Sequence, residues 1–309
     1  MTAPVVSIVI PTFNGGPMLA RLLDAIDAQS SAHPRRVVAV DSGSIDGTLE
    51  LLQRRGAEVV SLTPGSFNHG TSRNEGVARA AADFAVLIVQ DAVPASDRWL
   101  DALLAPLLTD DRVAGAFARQ QPRTDASAVT THYLSSWVAC QPQPRVVGPL
   151  TREQFDAMTP EERHRACAFD NVCSCIRVAA WRTHPFRPTA IAEDLEWARD
   201  VLLDGYRLAY TPDAVVWHSH ERSASYELQR TYLVHQRLQA LFGLSTIPSA
   251  GSLVRAIAAT VPAHLRLARR AGPAALARAA ALGVTLPLGQ YLGARAAREG
   301  RELLRTRGI

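Results

Sequence analysis

Cysteine is scarce in this chain of 309 residues, with only Cys140, Cys167, Cys173 and Cys175. They are too few and too unevenly spaced for a disulfide scaffold, which points to a reducing cytoplasm. Zinc is no better served. Cys173-Ser174-Cys175 with Cys167 lacks a CxxC spacing and an evident fourth ligand, so these are read as small buried strand residues. Lysine is missing altogether, so the 33 Lys-plus-Arg positions are all Arg, a compositional bias without chemistry of its own. The first residues, Met1-Thr2-Ala3-Pro4, have no basic n-region and no apolar h-region, so no signal peptide is expected. The apolar stretch 279–294 contains Gly283, Pro287 and Gln290 and is shorter than the roughly 20 residues of a spanning helix. It is expected to be peripheral.

What is present fits an enzyme. A chain that is 47% hydrophobic and 20% charged can bury a sizeable core and stay folded. The net charge of +4 is unevenly placed. From Gly251 onward there are ten Arg and two Glu, a local balance of +8 that leaves −4 for the rest. A basic, Ala/Leu-rich helical tail suits an anionic membrane surface. A homodimerisation or packing element is the other reading of that tail. Aromatic residues are not interleaved with the charge, so no nucleic acid is expected as a partner.

Residues 5–10, 36–40, 57–62 and 84–89 read as short, buried, β-branched strands, and 18–28, 48–52 and 71–82 as helices between them. Strands alternating with helices predict a parallel sheet covered on both faces. Ligands of such sheets sit beyond the carboxyl ends of the strands, where Asn14, Asp41, Ser42, Gln90 and Asp91 fall. Residues 125–160 read as irregular. The tail beyond Ser249 reads as helical, interrupted at Pro262, Pro273 and Pro287.

Several of these residues suit a nucleoside diphosphate-sugar. Asp41 can accept from the N3–H of a uracil or thymine ring, or serve as a turn or capping Asp. Asp91 follows a fully apolar strand, where a charge is costly unless it is paired or exposed at a site. It suits a divalent cation, or an N-cap for the segment 94–100. His218 and His220 are two apart on an extended segment and can complete a metal shell, or be surface histidines. Glu193-Asp194 open a helix, where the dipole favours acids; alternatively one is the base that deprotonates an acceptor hydroxyl. In Phe67-Asn68-His69-Gly70-Thr71-Ser72-Arg73-Asn74, Arg73 and the helix amides can meet a phosphate, or Thr71 and Ser72 can cap.

Taken in order, the chain resembles the bacterial family 2 glycosyltransferases of the rhamnosyltransferase-like branch. The resemblance rests on Ser7-Ile8-Val9-Ile10-Pro11-Thr12-Phe13-Asn14, Val40-Asp41-Ser42-Gly43-Ser44-Ile45-Asp46-Gly47-Thr48, the Phe67-Asn74 segment and Val89-Gln90-Asp91-Ala92-Val93-Pro94. It continues through Asn171-Val172-Cys173-Ser174-Cys175-Ile176-Arg177, Ala192-Glu193-Asp194-Leu195-Glu196-Trp197 and Val216-Trp217-His218-Ser219-His220. It implies an α/β GT-A fold: a Rossmann-like mixed sheet with helices on both faces, here followed by a C-terminal helical extension. The expected divisions are 1–124 for the donor and 125–248 for the acceptor, then 249–309.

The resemblance also implies an inverting transferase using Mg²⁺ or Mn²⁺ and a nucleotide-sugar, dTDP-L-rhamnose or a UDP-sugar. The acceptor would be a saccharide or a lipid-linked hydroxyl. Asp91 and His218, with His220, would hold the cation, and Asp194, with Glu193, would supply the base. Donor contacts are expected from Pro11, Thr12, Phe13, Asn14, Asp41, Ser42, His69, Arg73, Asn74, Gln90 and Asp91. Two departures stand out. The family's Asp-x-Asp is reduced to Val89-Gln90-Asp91, and Cys173 and Cys175 replace the common Asn and Ala. A non-catalytic nucleotide-sugar-binding homologue is the rival from outside the enzymes. A nucleotidyltransferase fits less well, because Thr12-Phe13-Asn14-Gly15-Gly16 contains neither Arg nor Lys.

Overall fold

β1 (Val6–Thr12) is buried along nearly its whole length because both of its faces are covered. Ile8 and Ile10 join a cluster with Leu19, Leu22 and Trp99, while Val9 between them joins Val77, Phe117 and Trp197. The two-residue alternation of a strand thus feeds two cores at once. The computed structural model describes residues 4–306 apart from Pro64. Met1, Thr2 and Ala3, part of the segment read as leaderless, lie outside the described residues.

After β1 come α1 (Gly16–Asp27), β2 (Arg35–Asp41), α2 (Thr48–Arg54), β3 (Glu58–Ser61), α3 (His69–Arg79) and β4 (Phe84–Ile88). The four strands are parallel neighbours in the order β3-β2-β1-β4. Gly76 lets α3 lie close on the sheet, since a Cβ there would be 2.2 Å from Val9 Cγ1. Next are β5 (Val93–Pro94), α4 (Trp99–Thr109), β6 (Val113–Gln121), α5 (Ala128–Ser136) and β7 (Arg145–Val147). Then follow α6 (Arg152–Ala157), α7 (Pro160–Ala166), β8 (Cys173–Arg177), α8 (Val178–Thr183), α9 (Glu193–Leu203) and β9 (Arg207–Trp217).

The sheet continues β4-β8-β6-β9-β5, with β7 on β9, and β8 runs antiparallel to both of its neighbours. It is therefore mixed, as the family resemblance implies, and not the parallel sheet that alternation alone predicts. The segment 125–160 also departs from its expected irregularity, because it holds α5, β7 and α6.

After α10 (Ala224–Phe242), the tail is helical, as α11 (Ala250–Ala268) and α12 (Pro273–Glu299). Pro273 starts α12, but Pro262 and Pro287 lie inside helices and interrupt neither. The stretch 279–294 lies within α12. Ala279, Leu282, Gly289, Gly293 and Ala294 are buried where α12 packs on its neighbours. A Cβ at Gly293 would stand 2.1 Å from the Tyr232 carbonyl oxygen of α10, so only glycine permits this approach. Among the described residues no helix is long and apolar enough to cross a membrane.

Candidate active site

In the register of β1 and β2, Thr12 stands opposite Asp41, so the two strands end together. The buried Asp41 carboxylate organises the turn that follows. Oδ1 accepts from Thr12 Oγ1 at 3.0 Å and Ser44 Oγ at 2.6 Å, and Oδ2 accepts from the Gly43 and Ser44 amides, each at 2.9 Å. Its hydrogen bonds are those of a turn Asp, leaving little capacity to read a base. Neighbouring Ser42 keeps a buried hydroxyl with no partner among the described residues. Asn14, at a φ of 47°, receives the Ile45 amide and donates its own to Ser44 Oγ, joining the first two loops. Phe13, which follows Pro11 and Thr12, is 56% exposed at this edge.

Gln90 is a strut. Its amide pairs with the Phe13 backbone in both directions, at 2.9 and 3.0 Å, and holds the ends of β1 and β4 together. Asp91 follows in a turn and does not cap α4, whose N-cap is Arg98. It faces the histidines that follow β9. Oδ1 is 3.7 Å from His218 Nε2, Oδ2 is 3.4 Å from His220 Nδ1, and the two Nε2 atoms are 3.1 Å apart.

Ligand atoms of all three residues lie within 4.8 Å of one another. Adjacent ligands held about 2.1 Å from an octahedral cation are about 3.0 Å apart, close to the imidazole spacing. The carboxylate oxygens stand slightly further out. Burial pushes His218 down to about 3 and also lowers His220, against the opposing pull of Asp91. Both rings are therefore neutral at pH 7, as metal ligation requires. One carboxylate and two imidazoles fit a divalent transition ion and leave positions for other ligands.

The two acids opening α9 have separate environments. Ala192, in the left-handed region at φ 62°, turns the chain into the helix without a side-chain cap. Glu193 is buried and paired with Arg73 at 2.9 Å, and it also accepts from Asn171 Nδ2 at 3.2 Å. Burial opposes its charge, but Arg73, His69 and Asn171 outweigh it and hold the carboxyl below its ordinary value. Asp194 has no cation paired with it among the described residues. It accepts from the Asn171 amide at 3.2 Å and the Leu195 amide at 2.8 Å, while part of its surface remains open. Burial first, then the charges of Glu193 and Asp170, push Asp194 well above the usual carboxylate range. An accessible carboxyl with a raised proton affinity is suited to general-base work.

Two expected phosphate and donor contacts are corrected. The Arg73 guanidinium, 5% exposed, is bonded to Glu193, the His69 carbonyl and the Asn171 carbonyl, so it is not presented to a ligand. Asn74 is bonded to the Phe186 backbone and Trp181, inside the fold. His69 is largely enclosed beside Arg73, and burial lowers its proton affinity. The segment is capped by Asn68, whose Oδ1 accepts from the Gly70 and Thr71 amides, while Ser72 Oγ accepts from the Asn68 amide at 3.3 Å.

Two further residues join the halves of the site. Gln120, near the end of β6, is 3.0 Å from His218 Nδ1 through Oε1 and donates through Nε2 to Asp170. Asp170 precedes Asn171, whose amide holds Asp194. The only sequence signal for Gln120 is a polar run, Arg119-Gln120-Gln121, closing a strand that is apolar up to that point.

The Glycosyl transferase family 2 model matches residues 7–180. O-antigen chain rhamnosyltransferase RfbN of Salmonella typhimurium (strain LT2) is 30% identical over 235 residues, spanning 74% of this chain and 70% of that protein. O-antigen chain rhamnosyltransferase WbaN of Salmonella anatum is 27% identical over 239 residues, with the same shares covered. The fold is similar to mannosyltransferase PcManGT of Pyrobaculum calidifontis, solved with GDP-Man and Mn²⁺. The TM-score is 0.63 at 20% identity, covering 98% of this chain and 89% of that one. With its GT-A sheet, the chain belongs to glycosyl transferase family 2.

Proposed function

We propose that the protein is an inverting, cation-dependent sugar transferase, with dTDP-L-rhamnose as donor and a saccharide or lipid-linked hydroxyl as acceptor. The carrying observation is the pairing of two unlike sites. One is a neutral His/His/Asp cluster; the other is a part-open carboxylate whose proton affinity is raised, reached through Gln120, Asp170 and Asn171. The rhamnosyltransferase relatives support the donor sugar.

Asp91, His218 and His220 would hold the cation, and the imidazole donors favour Mn²⁺ over Mg²⁺, which prefers an all-oxygen shell. When bound, the ion offsets negative charge on the departing diphosphate. Asp194 takes the proton of the acceptor hydroxyl as its oxygen attacks the anomeric carbon, and Glu193, fixed by Arg73, raises the basicity of Asp194. Phe13 offers an apolar face to the nucleobase. Arg123, Arg222 and Arg230, whose charges act on His220, supply the cationic wall that Arg73 does not. No side chain here is read as an enzymic nucleophile, so one displacement inverts the centre.

The outward side of α11 carries Arg255 and Arg266, with Arg269 and Arg270 just beyond its end and Val254 and Leu267 exposed among them. That mixture supports docking on an anionic lipid surface, which would bring a lipid-linked acceptor to the cleft.

The donor assignment is tested by thermal shift against a panel of nucleotide-sugars with Mn²⁺. A ligand at 100 times its Kd stabilises by about 2.7 kcal/mol. dTDP-L-rhamnose should give the largest shift, and a larger one from a UDP-sugar would replace it as donor.

A further inference from the structure

Gln120 lies between the histidine cluster and a buried acid, and it is only 4% exposed. Its Oε1 is 3.0 Å from His218 Nδ1, and its Nε2 donates to Asp170 Oδ2. That same oxygen accepts from Trp137 Nε1 at 2.9 Å, and Asp170 Oδ1 accepts from the Val172 amide at 2.9 Å. An indole N–H can only donate, so Oδ2 accepts from Trp137, and with Asp170 ionised it accepts from Gln120 as well. A primary amide has one accepting end and one donating end. With the donating end engaged by Asp170, the accepting end must face His218. His218 Nδ1 then carries a proton, and the lone pair of the neutral ring belongs to Nε2. Nε2 is the atom that faces Asp91 and His220.

We propose that Gln120 is a positioning residue for the cation site: anchored by Asp170 and Trp137, it fixes His218 as the Nδ1–H tautomer and so presents Nε2 to a divalent ion shared with Asp91 and His220. The inference rests on reading that triad as a cation site. Metal-bound histidines elsewhere donate their second N–H to a carboxylate or carbonyl, which orients the ring. Here the acceptor is an amide oxygen, and its direction is set one residue further back, by a carboxylate on the turn that also carries Asn171. The polar end of β6 is thereby given a chemical role. A strut holding β6 to β9 would need no particular amide orientation, because the His218 amide already donates to the Gln121 carbonyl at 2.9 Å.

The full-length, metal-free chain labelled with ¹⁵N-histidine is examined by long-range ¹H–¹⁵N correlation, with His218 assigned from the spectrum lost in His218→Asn. Mn²⁺ affinity is then measured by EPR for wild type, Gln120→Met and the exchanged pair Gln120→Glu/Asp170→Asn, with the Tm of each recorded. The expected results are an Nδ1–H tautomer in wild type and a Kd for Mn²⁺ raised about 10- to 100-fold in Gln120→Met. The exchanged pair retains an acceptor toward Nδ1 and should bind within about threefold of wild type. An Nε2–H tautomer, or a folded Gln120→Met with unchanged Mn²⁺ affinity, overturns the inference; the tautomer holds as a test even if that variant fails to fold. A wild-type chain with the Nδ1–H tautomer and no Mn²⁺ binding overturns the cation reading beneath it.

Discussion

Arg73 Nη1 stands 2.9 Å from Glu193 Oε1, with both side chains 5% exposed. The pair divides the labour of two adjacent acids: Glu193 is neutralised by Arg73, and Asp194 is left without a paired cation among the described residues. Removing one partner of a buried ion pair strands the other, at a cost of about 3–5 kcal/mol. Arg73→Ala should therefore lower stability by that amount in urea unfolding. If Arg73 bound donor phosphate instead, the same substitution would raise the donor Kd with stability unchanged. Arg230→Ala should behave in that second way.

Asp194→Asn should reduce transfer by about 10²- to 10⁴-fold, the range expected of a lost general base. Because the Asp194 carboxyl is pushed well above the usual range, the acid limb of kcat/KM should lie above that of an ordinary carboxylate. The active, ionised form is lost as pH falls through the raised value. Stability has the opposite sense. The protonated form is favoured in the folded state, so its contribution is full below the unfolded value and is lost as pH rises through the folded one. Asp194→Asn removes that dependence, so its Tm relative to wild type should rise as the pH is taken up from the ordinary carboxylate range through the raised value. A relative Tm that falls over this interval would contradict the assigned environment.

Chelation should abolish transfer, and Mn²⁺ should restore it at lower concentration than Mg²⁺. In Asp91→Ala the cluster loses its carboxylate, so Mn²⁺ should no longer deepen the thermal shift given by the donor. A full Mn²⁺ response in that variant, measured by calorimetric titration, would move the ion elsewhere.

The first four strands were legible because a strand buried on both faces is a continuous apolar run, and runs such as Val5-Val6-Ser7-Ile8-Val9-Ile10 declare themselves. β8 was legible as a strand from its small buried residues Cys173-Ser174-Cys175, but its antiparallel direction was not, because nothing local records which way a neighbouring strand runs. Helices α6 and α7 carried a signal that composition hides. Thr151 with Gln154 and Thr159 with Glu162 are capping boxes, formed in the structure as their spacing permits. Asp91, His218 and His220 could be gathered from separate segments because metal-ligating residue types are few. Arg73 could not be placed, because its partner Glu193 is 120 positions away and nothing local announces an internal ion pair. Separations of 50 and 98 positions conceal in the same way the links of Gln120 to Asp170 and to His218.

The membrane reading concerns α11. Vesicles containing anionic phospholipid should retain the wild-type chain at low salt and release Arg266→Glu/Arg269→Glu/Arg270→Glu, with binding in both falling as salt rises. Equal retention of the two proteins in a flotation assay would leave α11 as a packing or dimerisation element, and light scattering would then give the oligomeric state.

Inversion by a single displacement is the claim on which the roles of Asp194 and the cation cluster converge. Proton NMR of the first-formed product, from a donor of known anomeric configuration, tests it most directly. The opposite configuration at the transferred sugar is the predicted result; retention would contradict a lone general base and require a nucleophile in the cleft.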